Sequence, residues 1–129
     1  MTFDHLLAVV AVRDLQAGRD WYRALLGRQP DNDPMPTLTE WQVVPQGWLQ
    51  VFEDPERAGS SLFNVAVDDL DAHIAALRDR GLQPGDPEEA AKGVRLSTLT
   101  DPDGNLIRLV GGFRVRYGLS LTRLRSIGP

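Results

Sequence analysis

Leu7-Ala-Val-Val-Ala-Val-Arg-Asp-Leu15 and Leu62-Phe-Asn-Val-Ala-Val-Asp-Asp-Leu70 are two writings of one pattern. Setting Asp14 on Asp69, an offset of 55 residues, brings Leu7 onto Leu62, Val10 onto Val65, Val12 onto Val67 and Leu15 onto Leu70. Each copy is a short aliphatic and β-branched run, then a carboxylate, then a helical pattern. The run reads as a buried strand. The carboxylate stands where the strand gives way to a helix, where it accepts free backbone N–H groups and suits the positive end of the helix dipole. In the first helix Leu15, Trp21, Tyr22, Leu25 and Leu26 form the apolar stripe; in the second Leu70, Ile74 and Leu77 do. Gly27 and Gly81 read as helix stops, with Pro30 and Pro84 beyond them.

Working outward, each copy closes with a hairpin. Thr37–Val44 and Trp48–Glu53 flank Pro45-Gln46-Gly47, and Val94–Thr100 and Asn105–Gly111 flank Asp101-Pro102-Asp103-Gly104. Proline presets the first central residue of a turn and glycine supplies positive φ at its exit. Residues 28–36 and 84–93 read as loops. The expected architecture is α+β, with two βαβββ modules in tandem. Module one spans 3–53, a linker 54–60, module two 61–112, and a basic extension 113–129. Such a unit leaves one face of its sheet open, and pairing the two sheets makes a cleft.

The chain has 129 residues, enough for one domain. It has no cysteine, which excludes a disulfide scaffold, thiolate metal sites and cysteine nucleophiles. No apolar run approaches the roughly 18 residues of a membrane span, and the N-terminus does not read as a signal peptide, so a cytoplasmic protein is expected. The net charge of −4 disfavours a general nucleic-acid role. Charge is uneven: 113–129 carries Arg114, Arg116, Arg123 and Arg125 and no acid. That tail reads as a solvated extension or a strand on an acidic partner face, with a phosphate- or nucleic-acid-binding tail as the alternative.

The duplicated unit, the Asp20-Trp-Tyr-Arg-Ala-Leu-Leu-Gly27 segment and Asp101-Pro-Asp-Gly-Asn-Leu-Ile-Arg-Leu109 resemble the glyoxalase/bleomycin-resistance group, the vicinal oxygen chelate superfamily. The resemblance covers about residues 3–112. It implies a cupped mixed sheet around a ligand cavity, on which that group builds glyoxalase I, ring-cleaving dioxygenases, epimerases, fosfomycin-modifying enzymes and metal-free drug-sequestering proteins. It also implies where metal ligands would stand. Two lie seven residues before the strand-end aspartates, at Leu7 and Leu62; one lies on the last strand of each module, at Gln50 and Arg108. Two leucines, an arginine and one amide cannot hold a divalent cation, since arginine has no lone pair to offer. The expectation is therefore no metal and no cofactor.

Of the two histidines, His73 reads as a surface residue of the second helix and His5 as a partly exposed N-terminal one; a displaced ligand or general base at His5 is the alternative. Glu40, Glu53, Asp101 and Asp103 form no recognisable acid–base pair, and the turn aspartates read as caps of backbone N–H groups. Strand alternation puts Trp48 and Phe52 on the face of Gln50. Aligning the hairpins on Pro45 and Pro102 adds Trp41, matched to Thr98. The expected ligand-binding lining is Leu7, Trp41, Trp48, Gln50, Phe52, Leu62, Asn64, Thr98 and Arg108, with Arg108 as polar anchor unless Glu40 or Glu53 pairs with it. Apolar walls with few convergent polar groups suit a small-molecule site. The expected function is metal-free binding of a small, partly aromatic or anionic molecule by a homodimer. The alternatives are a lyase, isomerase or dioxygenase with a displaced site, and a partner-binding module using the basic tail.

Overall fold

The computed structural model describes residues 2–113; the arginines of the basic extension lie outside the described residues. Two four-stranded sheets carry one helix each. Strand β1 (Leu6–Val12) runs into helix α1 (Leu15–Leu26), followed by β2 (Asn32–Met35), β3 (Leu38–Val44) and β4 (Gly47–Glu53). The second module repeats this as β5 (Leu62–Val67), α2 (Leu70–Asp79), β6 (Glu88–Glu89), β7 (Arg95–Thr100) and β8 (Leu106–Gly111). The sheet orders are β1-β4-β3-β2 and β5-β8-β7-β6, with β1∥β4 and β5∥β8 parallel and the remaining pairs antiparallel. The α+β class and the tandem βαβββ modules are as the sequence reads. Among the described residues no helix is long and apolar enough to cross a membrane.

The helix boundaries follow local chemistry. The Asp14 carboxylate accepts the Gln16 N–H and the Asp69 carboxylate accepts the Ala72 N–H, each satisfying a donor the helix leaves free. Gly27 ends α1 in the left-handed region at φ 75°, its N–H donating to the Arg23 carbonyl. The segment 28–36, expected as loop, contains β2. Asp31 ties its start down, accepting the Gln42 N–H at 2.7 Å and the Arg28 guanidinium at 2.9 Å; these bonds, the backbone one foremost, hold its carboxyl below its ordinary value. The segment 84–93 likewise contains the two-residue β6. Gly104 takes the expected positive φ, but Gly47 does not; it is small because a Cβ there would lie 2.6 Å from the Val44 side chain.

The core lies on the helix side of both sheets. Tyr22 and Leu25 of α1 pack with Val10, Val12, Trp41, Leu49 and Val51; Leu70, Ile74 and Leu77 of α2 pack with Leu99, Ile107 and Leu109, all in one cluster. A buried polar knot joins the modules at one end. The Asp101 carboxylate accepts the N–H groups of Asp103 and Asn105, the Asn105 side-chain amide and, at 2.8 Å, the Tyr22 hydroxyl from the other module. The Asn105 amide donates to the Ala11 carbonyl at 2.8 Å and accepts the N–H groups of Gly59 in the linker and of Ser61 at the start of module two. At the rim, Asp103 accepts from the backbone and side chain of Arg13. Both turn aspartates thus accept backbone N–H groups, as expected; that they also tie the two modules together is not written in the local sequence.

Two outcomes test this junction. Asn105→Ala strands the Ala11 carbonyl and two N–H groups at about 1–3 kcal/mol each, so we expect a loss of roughly 3–5 kcal/mol in denaturant unfolding. Burial, and then the Asp101 carboxylate, raises the Tyr22 phenol far above its ordinary value. The unfolded phenol ionises near pH 10, so the stability held by neutral Tyr22 is complete below about pH 10 and is lost as pH rises further. Tyr22→Phe should cost about 1–2 kcal/mol at neutral pH and flatten that alkaline decline, read from unfolding curves across pH.

Candidate functional site

Strand parity that sends Val10, Leu49 and Leu109 to the core sends their neighbours to the opposite, helix-free face. In sheet one, register sets Leu7 beside Trp48 and Val9 beside Gln50 and Glu40, with Phe52 on the same side. In sheet two, Leu62 lies beside Leu106, and Asn64, Arg108 and Thr98 stand abreast on three strands. Leu7, Val9 and Leu62 are 48%, 49% and 48% exposed, so the faces are open and apolar. Eight of the nine expected lining residues occupy these faces.

Trp41 does not. It is fully buried on the helix side, paired in register with Leu49, its indole N–H donating to the Arg28 carbonyl at 3.0 Å. The two hairpins differ in turn length, and β3 and β4 slip in register between Gln42 and Val44. The true mate of Thr98 is Glu40, which faces Gln50 as Thr98 faces Arg108. A one-residue slip turns a side chain to the other face.

Two adjoining hollows hold the most distinctive side chains. One, about 340 Å³, is lined by Asn64, Ala66, Leu96, Arg108, Val110 and Phe113. The other, about 250 Å³, shares Asn64 and Ala66 and adds Trp48, Leu6, Ala8 and Phe63 among its walls. Asn64 thus lines both hollows, with Arg108 in one and Trp48 in the other, while Leu7, Gln50, Phe52 and Leu62 stand on the faces outside them. Thr98 borders a separate hollow with Trp21 and Gly85. Leu96 and Ala66 share the parity of Thr98 and Asn64, so alternation alone could have found them; nothing local marks Phe113.

The polar groups differ between the sheets. Gln50 donates to Glu40 at 2.8 Å, and Asn32 donates to the other Glu40 oxygen at 3.2 Å. Glu53 accepts the Leu15 N–H at the start of α1. Neither acid pairs with Arg108, which is half-buried and makes no hydrogen bond or ion pair among the described residues.

The positions that the family resemblance assigns to a metal do not fit one: Leu7 and Leu62 have no donor atom, Arg108 is a cation, and the Gln50 amide is engaged with Glu40. Among the described residues no three His, Asp or Glu side chains gather to hold an ion. His5 precedes β1 and lies half-exposed beside Asp4 at 3.4 Å; His73 pairs with Asp68 at 3.3 Å on the rim of a groove of about 490 Å³ between the modules.

The two tryptophans separate core from face. Trp41→Ala should cost about 3–5 kcal/mol in denaturant unfolding, whereas Trp48→Ala should cost under half of that. Equal losses would contradict the assigned faces.

Comparison with known proteins agrees with this architecture. A family model described as a glyoxalase-like domain matches residues 7–110. The glyoxalase/bleomycin resistance protein from Catenulispora acidiphila superposes with a TM-score of 0.78 at 39% identity, covering 83% of this chain and 96% of that one. TnmS3, an antibiotic-binding protein from Streptomyces sp. CB03234, gives 0.69 at 25% identity over 86% and 98%. A bleomycin-binding protein complexed with bleomycin shares the fold, with a TM-score of 0.71 at 22% identity over 85% and 99%. No curated protein matches the chain. With the family model spanning both modules, the chain belongs to the glyoxalase-like domain family.

Proposed function

We propose that the chain is a metal-free binding protein that holds a small, partly aromatic or anionic molecule against the open faces of its sheets, acting by sequestration or as an accessory protein. The observation that carries this reading is the pair of hollows that share Asn64 and Ala66, one lined by Arg108 and the other by Trp48. An apolar wall with an indole and one unengaged cation suits binding and orientation. It supplies no nucleophile, no acid–base pair and no donor set for a Lewis acid, which the lyase, isomerase and dioxygenase alternatives require. The antibiotic-binding and bleomycin-binding relatives favour the same reading.

The working unit in this proposal is a homodimer. Leu7 and Val9 on β1 and Leu62 on β5 leave apolar side chains exposed on the helix-free faces, and β1 and β5 are sheet edges, which proteins commonly cover. Sedimentation should show a dimer at micromolar protein; a monomer there would contradict it.

Metal analysis tests the binding mode. The purified protein should carry no stoichiometric metal and gain no thermal stability from nickel, zinc, iron or manganese. The triple variant Leu7→His, Leu62→His, Arg108→Glu, beside native Gln50, should gain metal affinity, visible as stabilisation of about 2–3 kcal/mol at a hundredfold excess over Kd. A native metal bound between the modules would overturn the proposal.

A further inference from the structure

We propose that the row Asn64–Arg108–Thr98 is an oxyanion subsite, taking a carboxylate, sulfonate or phosphate group of the bound molecule; this rests on the cavity reading above and names the ligand class. Three neighbouring strands present these side chains abreast on one face. The flanking rows are mostly apolar: Leu62, Leu106 and Thr100 on one side, Ala66, Val110 and Leu96 on the other. A guanidinium, a side-chain amide and a hydroxyl all offer hydrogens, and one brings a positive charge. Among the described residues none of the three side chains has a hydrogen-bond or ion-pair partner.

The equivalent row of sheet one shows what a satisfied row looks like. There Val9, Gln50 and Glu40 stand abreast, and the Glu40 carboxylate is engaged by Gln50 at 2.8 Å and Asn32 at 3.2 Å. Sheet two carries the opposite charge and no internal answer to it. The carboxylate sharing its open face, Glu88 on the edge strand β6, lies opposite Leu96 and two strands from Arg108. Residues 114–129 contain no Asp or Glu. A half-buried guanidinium costs free energy until something pairs with it, and a planar or tetrahedral oxyanion accepts its parallel N–H groups two at a time. The aromatic part of such a ligand would lie toward Trp48, which shares the adjoining hollow.

A matched pair of probes separates the anion from the cavity: anilinonaphthalene sulfonate, and phenylnaphthylamine, the same scaffold without the sulfonate. In fluorescence titrations the wild-type protein should bind both, the sulfonate more tightly. Arg108→Ala should weaken the sulfonate about tenfold or more and leave phenylnaphthylamine unchanged, with Arg108→Lys recovering part of the loss because the fork geometry is gone. Arg108→Gln, near in size and shape, should behave as Arg108→Ala and melt as wild type does. The exposed Arg57→Ala should leave both affinities alone. If phenylnaphthylamine binds and the sulfonate gains nothing from Arg108, the oxyanion subsite is wrong and the cavity stands. If neither probe binds the wild type, the cavity reading falls with it. Dissociation of the dimer by Arg108→Ala at unchanged sulfonate affinity would assign the residue to a subunit contact and overturn the proposal.

Discussion

The side-chain amide of Asn105 holds the two halves of this chain in one register. It is fully buried, donates to Ala11 in module one and to Asp101 in its own turn, and accepts from Gly59 in the linker and Ser61 just after it. In an environment of low dielectric each of these bonds is strengthened, and each becomes costly to lose. Tyr22 adds the first helix to the same knot through Asp101. Two modules of the same topology could pack in several ways on hydrophobicity alone, because burial is non-directional. A satisfied polar cluster of fixed geometry selects one. The duplication does not repeat it: the counterpart of Tyr22 is Leu77, the counterpart of Asn105 is Gly47, and that end of the junction carries the open groove lined by Leu77, Val44 and Val67.

With the junction set at one end, the alternation of each strand has two consequences. One row of side chains meets a helix and becomes core; the other has no helix to meet. Gly18 lets α1 approach β1 closely, since a Cβ there would lie 2.9 Å from Val12. The face left open is apolar at its edges and polar in one row per sheet. In sheet one the row closes on itself through Glu40 and Gln50, while in sheet two it does not close. The chemical difference between the modules thus lies in a few central residues, on a scaffold the modules share.

What was legible in the sequence was local. The Asp14 and Asp69 caps, the Gly27 stop and the Asp101-Pro-Asp-Gly turn act through hydrogen bonds within a few residues, and each stands as read; the two aliphatic runs are strands as read but not buried ones, because β1 and β5 are sheet edges with a helix on one face only, which leaves Leu7, Val9 and Leu62 half exposed. The open faces were legible by parity, which placed Trp48, Gln50, Asn64 and Arg108. Trp41 was misplaced because parity was carried across two turns of different length, and the slip near Gln42 is not written in residue types. The short strands β2 and β6 have little apolar content; β2 contains Pro34, which suits its place at a sheet edge. The junction was hidden for another reason: Asn105 and Ala11 are 94 residues apart, and a turn asparagine has an ordinary local explanation.

A fold does not by itself fix a function, so the proposed reading rests on Leu7, Leu62, Gln50 and Arg108 rather than on topology. In the proposed function the second sheet's open face binds its ligand through Arg108 with no metal between them. The most direct measurement is a titration with phenylphosphonate in a metal chelator, followed by nitrogen–proton correlation spectra that include the arginine side-chain signals. Saturable shifts are expected at the Arg108 Nε–H, the Asn64 side-chain amide and the Thr98 backbone amide, all fitting one dissociation constant. Shifts centred on another part of the surface, or shifts at this face only after a divalent metal is restored, would contradict it.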